Sequence, residues 1–123
     1  MRRVVVTGLG VISSIGNDAF KVTENLKNGR SGIVHNAEMQ EHGFKSQIAG
    51  AIDLNVVDQI EKRTLRFMGP GAAYAFIAME QAIADADLSE ADVSNPRTGL
   101  VAGSGGPSTS AMLVAHQTVL KSG

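Results

Sequence analysis

The sequence predicts an α/β protein, and three stretches carry the prediction. Residues 3–12 (RVVVTGLGVI) and 98–103 (TGLVAG) are near-continuous apolar runs rich in valine, as in strands buried on both faces. Between them, residues 69–88 read GPGAAYAFIAMEQAIADADL, with Ala72, Ala73, Ala75, Phe76, Ala78, Met79, Ala82, Ile83 and Ala86 at helical spacing. Only Glu80, Gln81, Asp85 and Asp87 interrupt that apolar surface. So many alanines suit a helix pressed closely by neighbours on most sides, a structural element and not a cofactor box. Buried strands separated by helices define the class. Two or three strands are few for such a sheet, so the chain reads as part of something larger.

Taken in order, the first run carries Gly8 and Gly10, which suggest close backbone approach or a bulge. Ser14-Ile15-Gly16-Asn17 turns the chain. Asn17 or Asp18 can then cap a short helix through Leu26, with Phe20, Val22 and Leu26 facing inward and Asn28-Gly29 ending it. Arg30 to Ile33 reads as a loop, residues 35–43 as a polar segment with one helical turn, and residues 45–52 as a short edge strand. Residues 54–68 place Val57, Ile60, Leu65 and Phe67 among Lys62, Arg63 and Arg66, a short helix feeding the long one. Pro70 suits the first turn of that long helix, where its missing N–H would have no partner. Residues 87–97 are a polar connection with Asn95-Pro96 as a turn, residues 104–107 a loop, and residues 108–121 a closing helix.

Composition removes several functions. A formal net charge of −1 over 123 residues gives no reason to expect nucleic acid or an anionic membrane as partner. The absence of cysteine excludes disulfides, thiolate metal sites and a cysteine nucleophile within these residues. The apolar run at the start is too short for a secretory signal, and no stretch approaches the roughly 18 apolar residues of a membrane span. The expected compartment is the cytoplasm.

Gly8-Leu9-Gly10 between strand and helix invites a dinucleotide reading, but Ser13 stands where the third glycine belongs. Gly103-Ser104-Gly105-Gly106 lacks the Lys-Ser/Thr of a phosphate loop, and Ala102 replaces the first glycine of a nucleophile elbow. A tight strand-to-helix loop is the better description. His35, His42 and His116 lack metal-ligand spacing and read as surface or loop histidines; no metal is expected, and no cofactor is expected either. Lys62, Arg63 and Arg66 fall three and four apart and share one helix face. By spacing alone they are a solvated face, partly neutralised by Glu61, or a docking patch for an acidic partner.

The whole chain resembles the N-terminal portion of the β-ketoacyl-acyl-carrier-protein synthases, most closely those of type I. The matching stretches are RRVVVTGLGVISSIGN, NGRSGI, RFM, YAFIAMEQAIADA and GLVAGSGG, in order and nearly end to end. The resemblance implies a thiolase-like fold, with residues 1–123 as the opening part of its first α-β-α half and the remainder of the enzyme absent. It implies decarboxylative Claisen condensation of acyl groups with malonyl-acyl carrier protein in fatty acid synthesis, by a cytoplasmic homodimer. In the family a cysteine carries the acyl group, two histidines stabilise developing charge, and backbone N–H groups form an oxyanion hole. None of these falls on a residue of this sequence, so no catalytic residue is carried over and the stretch alone is expected to be inactive. Two sites are carried over. The family docks acyl carrier protein through basic residues matching Lys62, Arg63 and Arg66, and Gly106 matches the acyl-pocket position that is a bulky isoleucine in type II enzymes. Downstream, Pro107, Ser108 and Thr109 depart from the family's patterns. The alternatives are a non-catalytic interaction module that keeps the patch and, far behind, a small nucleotide-binding domain.

Overall fold

A computed structural model of the chain describes residues 2–122. Its elements in order are α1 (Ala19–Lys27), β1 (Ile33–His35), α2 (Ala37–Glu41), β2 (Ile48–Gly50), a 3-10 turn (Val56–Asp58), α3 (Lys62–Leu65), α4 (Pro70–Asp85), α5 (Glu90–Val93) and α6 (Thr109–Ser122). Helix α1 begins where the Asp18 carboxylate accepts from the Lys21 N–H at 2.7 Å, and ends at Asn28 with Gly29 at φ +61°. Both ends match the sequence reading. Its inward face does not: Phe20 and Leu26 are exposed and Val22 only half-buried, since no element among the described residues covers that side.

Strands β1 and β2 pair antiparallel, with Val34 opposite Ala49. The expected edge strand is therefore present, and its partner forms in part from residues read as a loop. Ile33 and Val34 have the β-branched shape a ladder favours, but Arg30-Ser31-Gly32 directly before them masks the signal. Helix α2 is the single turn expected, capped by the Asn36 side chain on Met39 N–H. Helix α5 lies inside the stretch read as a connection. The reciprocal Ser89–Asp92 capping box holds its first turn.

The largest correction concerns the two apolar runs. Neither residues 3–12 nor residues 98–103 form a strand among the described residues, and Val4, Val6 and Val101 are 93%, 89% and 99% exposed. A strand exists only by pairing, and the β1–β2 hairpin is the whole described sheet. Burial on two faces needs layers that these residues do not supply. The same shortage limits α4. Gly69 caps it and Pro70 opens it as expected, yet only Ala73 and Ile77 are fully buried, while Ala72, Ala75 and Ala84 face solvent.

The core sits beneath the first half of α4. Ala73 and Ile77, one turn apart, close on Ile60, and Ile12, Leu54, Val56, Leu65, Met68 and Phe76 pack around them. Residues 8–17 cross the second half of α4 and are held there by two of its few polar side chains. The Asp85 carboxylate accepts the Leu9 N–H at 2.9 Å. The Gln81 amide accepts from Val11 N–H at 3.1 Å and donates to the Asn17 carbonyl at 2.7 Å. Leu9 and Val11 are alternate residues and Gln81 and Asp85 are one turn apart, so the two periods match along this crossing.

Candidate functional site

Two features lie side by side at the start of α4. The first is the cationic segment. Lys62 and Arg63 lie in α3 and Arg66 is its C-cap, with the Arg66 N–H bonded to the Lys62 carbonyl at 3.2 Å. All three side chains are exposed, and the nearest acidic neighbour in sequence, Glu61, makes no ion pair with them among the described residues. The Arg66 guanidinium lies over the Phe67 ring, 4.8 Å from its centroid. The helix expected to carry the three cations is a single turn, and the third cation sits on its cap.

The second feature is an open cleft of about 810 Å³ between the first turns of α4 and the loop leading into α6. Gly69, Ala72 and Ala75 line one side, and Ala102, Gly106 and Ser108 the other. Small residues leave the volume free: a Cβ built on Gly106 meets nothing within 4 Å. Gly69 is small for a different reason, since a Cβ there comes within 2.9 Å of the Ser108 Cβ where loop and helix meet. The Ser104 hydroxyl folds the loop on itself, donating to the Gly106 carbonyl at 2.7 Å. That bond occupies the hydroxyl within its own loop, and among the described residues no histidine bonds Ser104 as a nucleophile elbow requires. Only Phe67 and Met68 separate Arg66 from Gly69, so the cations begin within about 11 Å of chain from the cleft wall.

Other motifs resolve into structure. Gly8 and Gly10 lie against α4, where a Cβ would run into the Ala82 and Ala78 carbonyl oxygens respectively. These glycines serve helix contact, which removes the basis of the nucleotide reading. His35, His42 and His116 are exposed and fall on β1, the end of α2 and α6. No cluster of three or more potential metal ligands occurs among the described residues. No helix among them is long and apolar enough to cross a membrane. The sequence reading missed the roles of Gln81 and Asp85, although two polar residues four apart on an alanine-rich helix are the available signal.

Among the described residues the chain is a set of helices with one antiparallel hairpin, in which an open cleft separates an alanine-rich helix from a Gly-Ser-Gly-Gly loop. A family model described as the beta-ketoacyl synthase N-terminal domain matches residues 1–122, and the chain belongs to that family. Relatives include 3-oxoacyl-acyl-carrier-protein synthase 1 of Escherichia coli K12, 50% identical over 109 residues, which are 88% of this chain and 27% of that protein. The synthase 1 of Haemophilus influenzae is 50% identical over 119 residues, 97% of this chain and 29% of that protein. The synthase 2 of Staphylococcus aureus N315 is 32% identical over 123 residues, 99% and 30% respectively. The chain thus spans under a third of the length of the curated relatives it matches.

Proposed function

We propose that these residues form the opening part of a condensing enzyme that elongates acyl chains with malonyl-acyl carrier protein. The observation that carries this reading is the likeness to proteins named 3-oxoacyl-acyl-carrier-protein synthase, 50% identical over nearly the whole chain. In this reading Lys62, Arg63 and Arg66 attract the acidic carrier, and Gly106 with α4 bounds part of the space the acyl chain enters. The exposure of all three cations and the open volume beside Gly106 support these roles. The acyl-accepting cysteine and the charge-stabilising histidines lie outside these 123 residues, which contain no cysteine. The stretch therefore contributes scaffold, docking face and pocket wall but not the nucleophile. The complete enzyme works in the cytoplasm as a homodimer, without a cofactor.

The test is turnover. The full-length protein carrying these residues should release carbon dioxide from malonyl-acyl carrier protein and form a β-ketoacyl product, and residues 1–123 alone should form none. Product formation by the isolated stretch would overturn the division of roles. Failure of the full-length protein to condense would overturn the function.

A further inference from the structure

The cationic segment carries a feature that charge does not require. Phe67 is 78% exposed and directly follows Arg66, in the segment that also holds Lys62 and Arg63. Its backbone is pinned: the Phe67 N–H bonds the Thr64 carbonyl at 3.2 Å and the Met68 N–H bonds the Leu65 carbonyl at 2.9 Å. Leu65 and Met68, on either side, are committed to the core around Ile60 and Ile77. With those two turned inward, the intervening turn presents Phe67 outward together with Arg66, whose guanidinium lies over its ring.

We infer that Phe67 is an apolar anchor for the acidic carrier that the cations attract, its ring taking an apolar side chain of that carrier. This rests on the docking reading of Lys62, Arg63 and Arg66. Other large apolar side chains are exposed, but none among the described residues has a guanidinium stacked on its ring. Phenylalanine and arginine are each enriched at protein interfaces, and a ring already held by its cation loses little freedom on binding. Charge complementarity selects an acidic partner. Phe67 then provides the short-range contact that a solvated charge patch lacks, so the two parts divide the kinetics. The cations govern the salt-dependent association rate, and Phe67 governs dissociation.

The experiment measures association and dissociation of Escherichia coli acyl carrier protein on the full-length protein, at low and high salt. Phe67→Ala should weaken binding by about tenfold, by the same factor at both salts and through faster dissociation. The triple variant Lys62→Ala, Arg63→Ala, Arg66→Ala should instead lose association rate, chiefly at low salt. If the triple variant loses binding and Phe67→Ala does not, the anchor is wrong and the docking reading stands. If neither loses binding, the docking reading fails and the anchor with it. Should Phe67→Ala lower the melting temperature, Phe67→Leu against Phe67→Gln decides. Retention by leucine with loss by glutamine supports an apolar anchor, and equal binding of the two overturns it.

Discussion

At the scale of single residues, glycines divide sharply by what surrounds them. A Cβ on Gly10 would enter the backbone of α4 at Ala78, with Ala82 N also only 2.9 Å away, whereas one on Gly71 meets nothing within 4 Å. Backbone cannot yield as a flexible side chain can. Gly10→Ala should destabilise the full-length protein by about 1–3 kcal/mol, as overpacking does. Gly71→Ala, inside the first turns of α4, should be neutral or stabilise by about 0.4–1 kcal/mol. Thermal melts of the two variants check both. Gly106 tests the cleft: Gly106→Ile should depress condensation of long acyl donors relative to short ones, because its side chain extends into open volume. An unchanged ratio of the two rates would remove Gly106 from the acyl path.

At the scale of elements, what the sequence made legible was local. Both limits of α1 and the start of α4 were readable because Asp18, Asn28-Gly29 and Pro70 act on backbone groups within one turn of themselves, whereas the end of α4 at Asp85, short of Leu88, carries no such signal. Helix α5 was hidden because four residues show no period, although Ser89 and Asp92 form a capping box at the right spacing. That box has a pH signature. Hydrogen bonds from the Ser89 hydroxyl and backbone N–H hold the Asp92 carboxylate below the ordinary aspartate range. Its pKa is lower folded than unfolded, so its contribution is present above the unfolded value and is lost as pH falls through the folded one. Protection of the Glu90–Val93 amides, relative to their intrinsic exchange rates, should fall only in acid below the usual aspartate range, and Ser89→Ala should show the reduced protection already at neutral pH. Undiminished protection in that variant would mean the cap does not hold the turn.

At the scale of the whole molecule, the sequence announced burial that these residues do not achieve. Residues 3–12 and 98–103 have the composition of central strands, and α4 has the composition of a helix between layers. Yet Val5 is 74% exposed, and Leu100 lies open to solvent. Composition records the environment in which a segment folds, while pairing and burial require the neighbours themselves, which a 123-residue stretch of a much longer family does not contain. The consequence is measurable: residues 1–123 in isolation should bind apolar dyes and self-associate, since contiguous exposed apolar surface drives association. A monodisperse monomer with a sharp cooperative melt would show that the core around Ile60, Ala73 and Ile77 suffices by itself.

The docking reading of the cations and the acyl-path reading of Gly106 came only through the family, because three cations within five residues are equally a solvated surface. The direct test of the central claim is therefore one ratio, measured in the full-length protein with Lys62, Arg63 and Arg66 all replaced by alanine. It compares condensation from acyl carrier protein with condensation from a small thioester that needs no carrier. The expected result is a loss of carrier-dependent kcat/KM that is steepest at low salt, where the patch acts over a Debye length that grows from about 10 Å at 0.1 M to about 30 Å at 0.01 M. The small thioester should react at the parental rate. Equal loss with both substrates, or none with either, would contradict the claim.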